Sequence, residues 1–358
     1  MDRGLDCELH RDSAHLVTQA LQCESAVVVK RRNQESSSSP RPKGKGRRIL
    51  SVDQTSAMGK LLAFLALCST LSFTDDLQTR LEQMAAAHQG KVGLFAKNLK
   101  TGATVAVNAD AGAQTASVIK LPIMLEAFYQ VKEGKHRLDE RLTLTKANQV
   151  PGSGVLTLMQ PGLQLSLLDA VTLMIDVSDN SATNLVLDDI GISAVNARLE
   201  TMGLKRTRLF RKVFLPYSAP VADEDRRFGL ARTTPREMAS VMESIWRCDL
   251  GDKKLCSQTL SILHNQFYRE SIPRYLEQID SSSGESKIGN KSGADDGVRN
   301  DVALIESNAG SFVISIFTWD NKDNSWSVDN TAELLIANMA KTIVEAWAPT
   351  ANSQKAQK

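Results

Sequence analysis

"ASVIKLPIMLEAFYQV", residues 116–131, is an apolar helical run that opens with a hydroxyl, Ser117, and an ammonium, Lys120. Residues three apart in a helix share a face, so the two groups stand together at the front of a segment that should be buried. With the helix beginning just after Ser117, the free N–H groups and the positive end of its first turn face the hydroxyl. The dipole and dry surroundings disfavour the charged form of Lys120. Its amine is then able to take the proton of a nucleophilic Ser117 at neutral pH. Pro122 fits only near a helix start, where its missing donor costs little. Alone the pattern is weak, since Ser-x-x-Lys arises by chance on the order of once in a chain of this length. An N-cap Ser beside an exposed Lys accounts for it as well.

Two later clusters change the balance. In "MIDVSDNSATN", residues 174–184, Ser178, Asp179 and Asn180 fall between two helical patterns, so a hydroxyl and an amide project from a short connection. In "KIGNKSGADDGVRND", residues 287–301, Lys291, Ser292 and Gly293 lie on a strand, and Arg299 follows. A strand edge with a glycine at close approach, a fixed cation and a hydroxyl suits an extended substrate bearing a carboxylate. Each triplet also reads as an ordinary turn, but their order after Ser-x-x-Lys is hard to reach by coincidence.

This set, Ser-x-x-Lys, Ser-Asp-Asn and Lys-[Ser/Thr]-Gly in that order, resembles class A β-lactamases and penicillin-binding peptidases. The likeness covers nearly all of residues 74 to 350 and extends to "SDNSATNLVL", "TTPREMA" and "KSGADDGVRNDVALI". Lys100-Thr101-Gly102 also spells the third triplet, but it precedes the nucleophile and reads as a hairpin turn. The resemblance implies that Ser117 attacks the carbonyl with Lys120 sharing the role of base. Ser178 would pass a proton to the leaving nitrogen, and Lys291 would hold that hydroxyl and the substrate carboxylate. Asn180 would bind the side-chain amide of the substrate and orient Lys120. Ser292 and Gly293 would line the substrate, and the N–H groups of Ser117 and Ala294 would form an oxyanion hole. Arg299 is a candidate second carboxylate ligand.

One departure stands out. Class A enzymes carry, after the helical block, a loop whose Glu holds the water that hydrolyses the acyl-enzyme. Here "RTRLFRKVFLPYSAPVADEDRRFGLARTTP", residues 206–235, starts like that loop at Arg208, Leu209 and Arg211, then reads Lys-Val-Phe-Leu-Pro. No Glu stands in the expected place. Asp223, Glu224 and Asp225 are candidates to swing into the site, although acids beside Arg226 and Arg227 also read as a solvated salt-bridge turn. Acylation therefore needs only parts that are present, whereas turnover needs a water that no residue visibly holds.

The fold expected is α+β. "TDDLQTRLEQMAAAH" is a first helix with Leu77, Leu81 and Met84 on one face, and "KVGLFAKNLKTGATVAVNAD" is a hairpin. Helical patterns dominate from Val118 to about Ser244. Strands return in "ESKIGNKSG", "RNDVALIES" and "SFVISIFTW", and a helix from about Thr331 to Trp347 closes the domain. The simplest packing is an antiparallel sheet covered by the two terminal helices, an all-helical lobe beside it, and the site between them.

The chain has 358 residues, 42% hydrophobic and 23% charged, with net charge +2. That composition supports a full-sized core and gives no reason to expect a nucleic-acid partner. Residues 1–57 are Ser-, Pro- and base-rich and too poor in large apolar groups to offset the entropy of ordering. We expect an N-terminal extension that is disordered or precedes the true start. Residues 58–73, with Lys60 before the apolar stretch Leu61 to Leu67, have the layout of an export signal and are too short to span a bilayer. Residues 74–350 form the hydrolase domain, and 351–358 are a tail. Cys248 and Cys256 flank a polar turn and would bond locally in an exported protein. The 5 histidines are scattered and no Cys or His grouping has metal-ligand spacing, so neither metal nor cofactor is expected. The reading is an exported, monomeric serine hydrolase acting on β-lactams. The alternatives are a D-alanyl peptidase or esterase that β-lactams inhibit, or a penicillin-binding protein without turnover.

Overall fold

The computed structural model describes residues 76–217, 219–276, 287–307 and 310–348. The extension, the export signal and the tail lie outside the described residues.

Helix α1 covers 76–87. It leads into β1 (Lys91–Asn98), β2 (Thr104–Val107) and the short β3 (Ala113–Gln114). The helical lobe begins with α2 (Lys120–Lys132), entered through a tight 3-10 turn at Ala116–Ile119. The hairpin of β4 (Arg141–Thr143) and β5 (Gln164–Ser166) precedes α3 (Leu167–Asp176), α4 (Asn180–Ile190) and α5 (Ile192–Thr201). Next come β6 (Arg208–Leu209), the one-turn α6 (Asp223–Arg226), β7 (Ala231–Thr233), α7 (Pro235–Trp246) and α8 (Lys253–His264). The chain returns to the sheet with β8 (Lys287–Asp295), β9 (Val298–Ser307) and β10 (Gly310–Trp319), then ends on α9 (Thr331–Trp347).

The main sheet is antiparallel in the order β2-β1-β10-β9-β8, so strands from both ends of the domain meet at β1 and β10. Alternation along each strand splits the core in two. Leu94, Ala303, Ile314 and Ile316 face Leu77 and Leu81 of α1 and Ile336, Met339 and Ile343 of α9. Phe95, Val302, Leu304, Val313 and Phe317 belong instead to the core shared with the helical lobe. Covering both faces explains why β9 is buried from Val298 through Ile305 and still carries Arg299, Asn300 and Asp301. At least these three polar groups must find partners inside the protein.

Helix α2 is apolar nearly all round and is the central helix of the lobe, with Ile123, Met124 and Phe128 fully enclosed. Lys120 is its first residue and is buried with it. Cys248 and Cys256 form the expected local disulfide, closing the turn between α7 and α8.

Candidate active site

Ser117 sits within the 3-10 turn, and the α-helix starts at Lys120 rather than just after the serine as the sequence suggested. Ala116, immediately before Ser117, has φ +43°, a left-handed conformation that costs energy for a residue with a side chain. The strand end leading into this turn is tethered to the sheet by Asn300. Its amide donates to the carbonyls of Gln114 (2.9 Å) and Thr115 (3.2 Å) and accepts from Thr318 N–H.

Lys120 is completely buried, and its Nζ donates to Ser178 O (2.6 Å), Ser178 Oγ (3.1 Å) and Asn180 Oδ1 (2.9 Å). Burial, helped by the charge of Lys291 and opposed by Asp179, holds its pKa well below the usual lysine range. The environment thus favours a neutral amine wired to the Ser178 hydroxyl.

Ser178 also has a positive φ, +54°, which lifts the Ser-Asp-Asn connection out of α3. Asp179 caps α4 through Ala182 N–H (2.8 Å), and its other oxygen accepts from Val155 N–H (2.6 Å) and Leu156 N–H (2.8 Å). It therefore pins the segment 150–156 beside the site. Ser153 Oγ donates to Ser178 O at 2.7 Å, and Asn180 donates through its backbone to Ser153 O and through Nδ2 to Pro151 O (3.1 Å). Among the described residues, one of the two Nδ2–H donors of Asn180 is taken, by Pro151 O.

Across the cleft, β8 presents Lys291 to Ala294. Gly293 presses on the turn that carries Ser117. A Cβ there would stand 2.7 Å from Thr115 O and 2.9 Å from the amide nitrogens of Ser117 and Val118. This close approach brings the Ser117 amide against the strand that continues into the exposed Ala294. Lys291 is fully buried and its pKa is pulled down to about 7 by that burial, with Asp301 and Asp176 acting the other way. It was expected to hold the Ser178 hydroxyl, but its Nζ donates to Ser292 O at 2.7 Å and the hydroxyl is held by Lys120. Asp301 is itself pushed up to about 7 by burial, and Asn290 and the Ile272 N–H bond its carboxyl. Asp176 is likewise pushed up to about 7, and its Oδ1 is buried without a hydrogen-bond partner.

Arg299 is not presented as a carboxylate ligand. Only 2% exposed, it donates to the carbonyls of Asp295 (2.8 Å), Val298 (2.7 Å) and Ser325 (2.6 Å), pairs with Glu333 at 3.5 Å and lies under Trp326. A charge on a strand buried on both faces has to be matched internally, and here it ties the β8–β9 turn to the segment before α9.

The beta-lactamase enzyme family model matches residues 76–347, which contain every element of this site. The chain belongs to that family. Among solved structures, a β-lactamase from Sphaerobacter thermophilus is 28% identical, over 78% of this chain and 98% of that one, with a TM-score of 0.66. A mutant of PBP-A, solved as an acyl-enzyme complex with penicillin G, is 25% identical over 77% of this chain and 97% of its own, with a TM-score of 0.67. An ancestral class A β-lactamase at 23% identity, covering 75% of this chain and 99% of its own, shares the fold with a TM-score of 0.64. A comparison with the curated proteins finds no match.

Within this β-lactamase fold, the loop after α5 carries the departure seen in the sequence. Asn184, one turn beyond Asn180 on α4, accepts from Val213 N–H (2.8 Å) and donates to Val213 O (3.0 Å). An aliphatic residue thus lies where the helix face bearing Asn180 meets the loop. The acids farther along do not make up for it. Asp223 is exposed and pairs with Arg226 at 3.0 Å, Glu224 is exposed, and Asp225 is bonded to Arg232. Asp225 lines a groove with Asn196 and Glu200 of α5.

The three motifs come together as read, but the side chains that support them were missed. Asn300, Asp301 and the glycines of "PGSG" (151–154) carry no motif that singles them out in the sequence. The structure shows why glycine stands at 154, where φ is +102° and a Cβ would collide with Asp179. Such a packed glycine marks a close backbone approach. His136, Glu140 and Asp189 form a potential metal-binding cluster beyond the other end of α2, and there His136 bridges both carboxylates at 2.7 and 3.0 Å.

Proposed function

We propose that the chain is an exported serine hydrolase that forms an acyl-enzyme at Ser117 with β-lactams. The observation that carries this is the buried Lys120 amine, bonded to Ser178 and Asn180 at the foot of the nucleophile's turn. Lys120 removes the hydroxyl proton as Ser117 Oγ attacks the substrate carbonyl carbon. The proton passes through Ser178 to the departing nitrogen as the C–N bond breaks, leaving an ester on Ser117. The amides of Ser117 and Ala294 supply the oxyanion contacts, Asn180 takes the substrate's side-chain carbonyl, and Lys291 with Ser292 attracts its carboxylate. A site outside the cytoplasm is supported by the signal-like segment at 58–73 and by the Cys248–Cys256 disulfide, which suits an oxidising compartment.

Val213 favours a second reading within the same chemistry. With no carboxylate on the loop beside Asn184, release of the acyl group is slow, as suits a D-alanyl peptidase or esterase that β-lactams inhibit. Intact mass after mixing with benzylpenicillin, with Ser117→Ala alongside, tests both. A penicilloyl adduct that persists supports the slow-release enzyme. Loss of the drug without lasting adduct, absent in the variant, supports a β-lactamase. No adduct and no loss of drug would overturn the acyl-enzyme mechanism.

A further inference from the structure

The large apolar side chains left exposed among the described residues fall on a few segments, 155–163, 214, 267–268 and 326–328. Asp179 holds Val155, Phe267 N–H donates to Asp176 O two residues before Ser178, and Trp326 covers Arg299. Phe214 is the most informative of them. It is 59% exposed and has φ +56°, a backbone that a bulky side chain rarely adopts. Asn184 fixes both backbone groups of Val213, so the torsion of the next residue decides where the ring goes. The ring goes over Gly152. A Cβ on that glycine would stand 3.3 Å from the Phe214 ring and 2.6 Å from Asn180 Nδ2. The ring and the amide therefore flank the same bare stretch of backbone. Leu158 and Met159, a few residues along the chain from Gly152, are exposed as well.

We infer that Phe214 is a specificity-determining residue that walls the subsite for the group attached to the substrate's side-chain amide. The substrate class is acyl donors bearing an aromatic or bulky branched apolar substituent beside that amide. Packing such a group on the exposed ring removes apolar surface of both from water, and strained residues persist where function retains them. The inference rests on the acyl-enzyme reading above.

The test is the second-order rate of Ser117 acylation in the full chain by benzylpenicillin and by its acetamido analogue, which keeps the amide but lacks the ring. Wild type, Phe214→Ala and Phe214→Tyr are compared, and melting curves confirm that each is folded. Wild type favours benzylpenicillin, and this preference falls by about tenfold in Phe214→Ala while Phe214→Tyr retains it. An equal preference in all three proteins overturns the assignment of Phe214 and leaves the acyl-enzyme reading standing. Absence of labelling by either compound in every protein overturns both.

Discussion

The Nζ of Lys120 lies 3.1 Å from the hydroxyl oxygen of Ser178 and 2.6 Å from the carbonyl oxygen of the same residue. One amine is thereby joined to the hydroxyl that serves the leaving group in the proposed mechanism, close to the turn that carries Ser117. Removing it takes away both proton acceptor and relay. Lys120→Ala is expected to slow acylation by roughly a hundred to ten thousandfold, read as the rate of penicilloyl adduct formation. An unchanged rate would place the base elsewhere.

The pH dependence follows from two lysines with opposite requirements. Lys120 must be neutral to accept a proton, so acylation rises with pH as it loses its charge, and its lowered pKa lets this happen below the usual lysine range. Lys291 must be charged to attract a carboxylate, so the rate falls as pH rises through about 7 in the free enzyme. A bell-shaped acylation profile results. Lys291→Arg keeps its charge at all accessible pH and should remove the alkaline limb. Its persistence in that variant would assign the limb to another group.

Gly293 leaves no room for a side chain, because a Cβ would stand 2.7 Å from Thr115 O and 2.9 Å from Ser117 N. Gly293→Ala must push the nucleophile's turn off the strand, at a cost of about 1–3 kcal/mol. A lower melting temperature together with at least about tenfold slower acylation is the expected result, since small misplacements of reacting groups carry large kinetic penalties.

Val213, clamped through its backbone by Asn184, is the position at which a carboxylate would stand beside the helix face bearing Asn180. Val213→Glu is expected to shorten the lifetime of the penicilloyl adduct by about tenfold or more, as positioned general bases do. The adduct's decay after removal of free penicillin measures it, and an unaltered lifetime would mean that the loop does not face the ester.

The disulfide between Cys248 and Cys256 closes a short loop, with a sequence separation of 8. By the loop-entropy relation it contributes about 2.5 kcal/mol of stability. Cys248→Ser with Cys256→Ser should lower the urea midpoint accordingly while leaving the acylation rate nearly intact, because the bridge lies at the α7–α8 turn, away from the site residues.

Much of the fold was legible because its signals are local. The alternation in "SFVISIFTW" gave β10, and the closing helix runs from Thr331 to Trp347 as its periodicity indicated. The same holds for the proposed nucleophile and base, Ser117 and Lys120, three residues apart in the chain. Arg299 misled because an arginine on a strand has the same sequence signature whether it faces a substrate or a buried Glu333. At 223–225 the sequence left a catalytic and a salt-bridge reading open, and the structure pairs Asp223 with Arg226 and Asp225 with Arg232.

The order of residues by itself determined the α+β architecture, the three motifs and the missing carboxylate, since each depends on spacing within a few residues or on motif order. Only the tertiary structure decided that Lys120 is dry and shared between Ser178 and Asn180, that Asn300 anchors the turn before Ser117, and that Phe214 leans over Gly152. Those facts depend on contacts between segments some 60 to 185 residues apart, as between Lys120 and Asn180 and between Thr115 and Asn300. Burial and close approach are properties of packed surfaces, and they exist only once the lobe and the sheet have closed on each other.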